Sequence, residues 1–356
     1  MDQLNFLATQ IVMVLGGVFG GALGIFLFFK LAVWTNKMIM RVGIVGNHKR
    51  GVLYKVALPK YRHQSDTPNE RISHVKSKSN VAEQMFAELR GIVPSDWRKH
   101  LIYRENLSFE IVADANEINF YVFCSRNIAD FVRNTIYGAY PEAEILEVPD
   151  YTDKLKDHVN RGYVRMVGPE YAPIRTFDTL VTDSLNSMLN KMVNLKGEEV
   201  VAVQYYVTPV SGSWRKRAYS YLNYLKNKQN KEYVKDTGVP GQVEVNLLGK
   251  GTPQVTIDKD AYEGVEKKMN KKGYLVGIRI MSSAKDMMTS RSNFDLLARS
   301  FVQFDVPPLA SFQPSQFWMA DWNFLRDYKL RIQPFIDWPF FKQQFIANTE
   351  ELATMF

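Results

Sequence analysis

The chain has a single cysteine, Cys124, among its 356 residues. No disulfide can form within it, which suits a reducing compartment. Cys124 sits in the apolar run Tyr121-Val-Phe-Cys, the setting of a buried structural thiol rather than a reactive one. The five histidines, His48, His63, His74, His100 and His158, are scattered, with none three or four residues from another. That spacing excludes a paired-histidine metal motif, and no metal or cofactor is expected. Catalytic signatures are missing too. No stretch fits G-x-x-x-x-G-K-[ST]; the nearest fragment, Gly249-Lys-Gly-Thr252, lacks the first glycine of the phosphate cradle. Neither G-x-S-x-G nor H-E-x-x-H occurs. Paired acids such as Glu198/Glu199, Asp258/Asp260 and Glu350/Glu351 fall at helix starts and strand flanks. The chain therefore reads as non-enzymatic.

Charge is also missing from residues 3–29, and Phe6 to Phe29 is apolar on every side. At about 1.5 Å per residue, a helix of this length crosses a hydrocarbon layer of about 30 Å with some tilt. Residues 1–36 are accordingly expected to form a transmembrane anchor. No basic region precedes the run and no small-residue cleavage site ends it, against a cleaved signal peptide. Lys30, Lys37, Arg41, Lys49, Arg50, Lys55, Lys60 and Arg62 follow it. Basic flanks stay on the cytoplasmic side. The expectation is a single-pass protein of the inner (cytoplasmic) membrane, N-terminus out and body cytoplasmic. Lys37, Arg41, Lys49 and Arg50 would meet lipid head groups of the bilayer. Gly16, Gly20 and Gly24, with Gly17 and Gly21 beside them, would let two such helices approach closely, predicting a homo-oligomer.

Beyond the span, residues 37–79 read as a basic juxtamembrane segment and linker, with a short strand over 51–57. Periodicity then predicts a helix from Val81 to Leu89 capped by Asn80, strands at Leu107–Ala113 and Ile118–Phe123 joined by a turn at Asp114-Ala-Asn-Glu, a helix from Asn127 to Ala139, and a strand at Ala143–Val148. With the strand at 51–57, residues 80–150 form a ferredoxin-like βαββαβ unit. The same order recurs over 160–310: strand Gly162–Val167, helix Asp178–Met192, strand Glu199–Val207, strand Gly273–Met281 and helix Ser290–Val302. The fold class expected is α+β: a transmembrane helix, then two ferredoxin-like units, the second carrying an insertion at 211–272.

The insertion opens with Trp214-Arg-Lys-Arg-Ala-Tyr-Ser-Tyr-Leu-Asn-Tyr-Leu-Lys-Asn-Lys. Basic residues interleaved with aromatics suit a single-stranded nucleic acid, such as single-stranded DNA, or an acidic partner, through Arg215, Lys216, Arg217, Lys226, Lys228 and Lys231. The reading preferred from sequence is a solvated helical hairpin whose tyrosines pack on one another. The segment 311–356 is rich in large aromatics, which need a surface to bury against.

Several strings carry a resemblance: Ala82-Glu-Gln-Met-Phe-Ala-Glu-Leu-Arg-Gly-Ile92, Leu107-Ser-Phe-Glu-Ile-Val112, Ile118-Asn-Phe-Tyr-Val122, Val132 to Tyr137 followed by Tyr140-Pro-Glu-Ala-Glu-Ile145, and Asn348-Thr-Glu-Glu-Leu-Ala-Thr354. Over roughly residues 80–356 the chain resembles the membrane-anchored N-terminal region of type IV secretion (conjugation) ATPase-like proteins of ultrasmall candidate-phylum bacteria. In that family the region precedes a HerA/FtsK-type motor. The resemblance implies a scaffold that docks or oligomerises a translocation ATPase or secretion channel. No Walker residue is present to carry over, so the chain would be either the anchor half of a larger protein, with 311–356 leading toward the motor, or a free-standing version that lost it.

Overall fold

A computed structural model of the protein describes residues 42–59, 68–93, 105–155, 158–180, 184–237, 259–316, 321–333 and 343–356, with helical positions 21, 24–28, 31, 35 and 38 before them. Strand β1 (Val52–Ala57) leads to helix α1 (Pro68–Leu89), the hairpin β2 (Leu107–Asp114) and β3 (Ile118–Cys124), helix α2 (Ala129–Ala139) and strand β4 (Glu144–Glu147). The order repeats with β5 (His158–Val167), α3 (Asn186–Met192), β6 (Val200–Pro209), the helices α4 (Trp214–Thr237) and α5 (Lys259–Asn270), β7 (Gly273–Ala284), α6 (Met287–Ala298) and β8 (Ser311–Ser315). Helix α7 (Asp321–Lys329), strand β9 (Gln344–Asn348) and helix α8 (Thr349–Met355) follow.

All nine strands belong to one antiparallel sheet in the order β4-β1-β3-β2-β6-β7-β5-β8, with β9 pairing with β7. The halves meet where β2 pairs with β6, Glu110 opposite Gln204. Moving outward from that seam, each half runs through its strands in the same order. One cross-strand row therefore reads Lys55, Tyr121, Glu110, Gln204, Arg279 and Tyr163. β9 takes Gly273–Gly277 of β7, while β5 takes Ile278–Ala284, so the two share one side of that strand.

The fold class read from the sequence is corrected here. Among the described residues no helix is long and apolar enough to cross a membrane, so the transmembrane helix expected at the head of the fold has no counterpart among them. Most of residues 1–41, where that span was expected, lie outside the described residues. The expected units 80–150 and 160–310 share a continuous sheet because each ends in an open edge, β2 or β6, whose backbone groups the other satisfies.

Side chains alternate across the sheet with a period of two. One face carries Leu107, Phe109 and Ile111 of β2, Val201, Val203 and Tyr205 of β6, and Val276, Ile278 and Ile280 of β7. The helices α1, α2, α3, α6 and α8 contribute to the core on this face. Every residue of α8 is buried, and Phe356 after it packs against Phe109, Phe120 and Tyr205, covering the seam. The opposite face carries Glu110, Gln204, Arg279 and an aromatic cluster that includes Tyr121, Phe123, Tyr151, Tyr163, Phe324 and Tyr328.

Local boundaries depart from the sequence reading where turn chemistry differs. α1 begins at Pro68, so Asn80 is a mid-helix residue and not its cap, and part of the expected linker is helical. Helix α3 begins only at Asn186. The turn after β2 is held by Asp114, whose Oδ1 accepts from the Asn116 and Glu117 amides at 3.0 and 3.2 Å.

Candidate functional site

A buried set of titratable side chains lies on the second face of the sheet, beneath α7. Helix α7 ends in a Schellman arrangement: the Arg331 amide donates to Tyr328 O and the Ile332 amide to Asp327 O, both at 3.0 Å. The residue at the left-handed position of such a cap is usually glycine. Here it is Arg331, at φ 51°, a conformation costing about 1–2 kcal/mol for a residue with a Cβ. Its side chain accounts for the choice. Nε donates to Glu110 Oε1 at 2.9 Å and Nη2 to Glu110 Oε2 at 3.2 Å, a two-pronged pair. The same guanidinium pairs with Asp150 and lies over the rings of Phe123 and Tyr151 at 4.8 and 5.6 Å.

Glu110 has no exposed surface. It also accepts from Ser108 Oγ at 2.7 Å and from Gln204 Nε2 at 2.9 Å. Tyr151 and Tyr328 share a hydroxyl hydrogen bond of 2.8 Å. Burial opposes the charge on Arg331, but Glu110 and Asp150 together hold its pKa well above the ordinary arginine value. Burial likewise works against the Asp150 carboxylate, and Arg331 outweighs it, leaving the pKa below the usual range.

Arg279, next in the row, has a different environment. Its Nη1 donates to Ile332 O at 3.0 Å, and its guanidinium lies 4.4 Å from the Tyr206 ring centroid and 5.5 Å from that of Tyr328. The aromatic faces supply the electrostatic complement that a carboxylate gives Arg331. Gly277 makes this possible: a Cβ there would fall 1.9 Å from Tyr206 Cζ, so only glycine lets the tyrosine lie flat under the arginine.

His48 joins the helical segment 42–48 to this cluster. Its Nδ1 is 2.6 Å from Leu330 O, and its ring meets Phe123 edge-on. Burial, with the Arg331 charge adding to it, lowers its pKa to about 4 against the backbone bond that favours the charged form. Between the unfolded value of about 6.5 and that folded value, the unfolded chain binds a proton that the native chain refuses. Stability is therefore expected to fall by up to about 3 kcal/mol as pH drops through this window. Urea denaturation at pH 7 and pH 4.5 checks it, with His48→Asn showing a smaller drop than the parent.

Chemically, this arrangement is a lock. Ser108 and Glu110 are within hydrogen-bond distance, but both are completely buried, whereas general acid–base work needs a group that can reach a substrate. No group of three or more His, Cys, Asp or Glu suited to a metal occurs among the described residues. Cys124 is fully buried, and burial raises its thiol to about 12.

The residues anticipated as a nucleic-acid site lie on α4. Lys216, Arg217 and Lys226 are exposed, and Arg215 is half-buried. Arg217 pairs with Glu170 at 3.1 Å, Arg215 donates to Lys271 O at 2.7 Å, and Lys226 sits 5.5 Å from the Tyr262 ring centroid. Lys228 and Lys231 lie on the same helix. Of the helix tyrosines, Tyr221 stacks on Tyr171 and, with Tyr262 of α5, packs on the apolar contact between the two helices, while Tyr219 and Tyr224 are 55% and 60% exposed.

Of the expected head-group residues, Lys49 and Arg50 occupy an exposed turn before β1; Lys37 and Arg41 lie outside the described residues. So do Gly16, Gly17 and Gly20, whereas Gly21 and Gly24 are helical positions with nothing within 4 Å of a built Cβ.

The family model described as a domain of unknown function, DUF8128, matches residues 59–355. The chain belongs to this family. No curated protein matches it. The DUF8128 match takes in Glu110, Asp150, Gln204, Arg279 and Arg331 together with α4 and α8, and begins just after β1. Sequence reasoning missed the first five of these. A signal was available: the apolar runs of β2, β6 and β7 each hold one long polar residue, Glu110, Gln204 and Arg279, and strands buried on both faces carry such groups only where partners await them.

Proposed function

We propose that this DUF8128 protein is a non-catalytic docking scaffold, the element of a type IV secretion-like translocation system against which a HerA/FtsK-type ATPase assembles. The observation that carries the scaffold reading is the closed Arg331 cluster: its charges are spent on one another. They pin α7 and residues 330–332 to the sheet and leave no reactive pair facing a substrate. The ATPase as partner rests on the resemblance of the strings at 82–92 and 348–354. A platform of this kind supplies geometry and holds its shape under load.

The experiment is a size-exclusion and light-scattering titration of the purified chain with a separately expressed HerA/FtsK-type ATPase from the same genome, beside an ATP-hydrolysis assay of the chain alone. A stoichiometric complex and no turnover by the chain alone are expected. Turnover abolished by a point substitution in this chain, or no complex at micromolar concentrations, overturns the proposal.

A further inference from the structure

Helix α4 is divided lengthwise. At 100° per residue, Trp214, Ala218 and Leu222 fall on one side, and all three are buried. Ala218 and Leu222 pack with Val265 and Met269 of α5. The other half of the cylinder is solvent-facing and carries Lys216, Arg217, Tyr219, Asn223, Tyr224 and Lys226. No acid occurs between Glu199 and Glu232, a stretch holding six Lys and Arg.

Two features of this half are costly for a helix that has only water as its neighbour. Arg215, Lys216 and Arg217 stand in the first turn, with no acid there to offset them. Backbone N–H groups already make that end positive, so cations there are unfavourable. Arg215 and Arg217 find relief at Lys271 O and Glu170; Lys216 has no acidic partner among the described residues. Tyr219 and Tyr224 are more than half exposed, although Tyr221, between them, has found a ring to stack on. An anionic polymer with flat apolar rings answers both: its phosphates neutralise the basic turn, and its bases cover the tyrosines.

We propose that the exposed half of α4 is a contact surface for single-stranded nucleic acid. Lys216, Arg217 and Lys226 meet phosphates, and Tyr219 and Tyr224, about 140° apart around the helix, each take a base. An acidic protein segment would satisfy the charges but leave the rings uncovered. The proposal does not depend on ATPase docking, because the surface is complete on this chain.

The test is fluorescence anisotropy of a fluorescein-labelled oligothymidylate titrated with the full chain over a range of salt concentrations. Affinity should fall linearly on a log–log plot against salt. Lys216→Gln with Lys226→Gln should flatten that slope by about 1.4, at about 0.7 per phosphate contact on a single strand. Tyr219→Ala with Tyr224→Ala should weaken binding at least about tenfold at fixed salt, with an unchanged melting temperature. No anisotropy change at low salt overturns the proposal. So does binding that survives both pairs of substitutions, and so does equal competition by polyglutamate, which would make the surface a general polyanion site.

Discussion

Arg331→Met is expected to destabilise the protein by about 3–5 kcal/mol, the usual cost of removing one partner from a buried ion pair. Methionine fills a similar volume, so the loss is electrostatic. It leaves Glu110 enclosed without its cation, facing Ser108 and Gln204, and frees Asp150 of its main partner. Urea denaturation measures the effect. Adding Glu110→Gln to Arg331→Met removes the stranded charge and should recover part of the loss. Arg331→Gly separates backbone from side chain. It relaxes the φ 51° conformation, worth about 1 kcal/mol, yet should remain well below the parent. If Arg331→Met matches the parent in stability, the lock described here is not a lock.

Glu351→Ala is expected to have an effect of similar size, about 3–5 kcal/mol, by a different route. Glu351 completes a capping box with Asn348 at the start of α8, accepts from the Ile174 amide at 3.0 Å, and pairs with Lys268 at 3.0 Å with both side chains 1% exposed. Alanine removes the cap, orphans a buried amide and leaves Lys268 enclosed with only Ala172 O. Burial already lowers the Lys268 pKa while Glu351 raises it; without Glu351 it drops further. The unfolded lysine then holds a proton that the folded one sheds, so the variant's stability should rise as pH climbs toward about 10. Denaturation midpoints at pH 7 and pH 9.5 read this, and hydrogen exchange over 349–355 should show α8 loosened first. A variant whose deficit is the same at both pH values would show that Lys268 stays charged without its partner.

Glu350, beside it, ties α8 outward. Lys267 and Lys271 reach it at 2.7 and 2.8 Å, and the same lysines hold Asp178 and Glu83 at 2.8 and 2.7 Å. The C-terminal end of α5 is thus bolted to α8 and to α1.

The sequence disclosed the elements whose order is local. The apolar alternation of Leu107–Ala113 and Ile118–Phe123 located β2 and β3 to within a residue, and the strong runs after Glu199 and Gly273 located β6 and β7. Elements whose identity rests on distant partners were hidden. β9, Gln-Phe-Ile-Ala-Asn, is too short to announce itself and becomes a strand because β7 offers Gly273–Gly277 beyond the reach of β5. The edge-to-edge joining of β2 and β6 could not be read, since nothing in either strand distinguishes an outer edge from a seam. The lone long polar residues of β2, β6 and β7 marked a need for partners, but the partner itself was hidden for the same reason: Arg331 lies 221 residues from Glu110, and no periodicity links them. The charge-free stretch at the N-terminus was the loudest signal in the chain, and of it only residues 21 and 24–28 are described, as helical positions.

The late arrival of α8 has a consequence for synthesis on the ribosome. Phe109, Phe120 and Tyr205 receive the Phe356 ring that covers them only when translation reaches that residue, and Glu83 waits 266 positions for Thr349. At about 5–20 residues per second, the nascent chain carries a greasy, half-roofed sheet for many seconds. During that interval it needs shelter from its neighbours on the polysome, and the turn that carries Phe356 acts as the lid that ends the exposure.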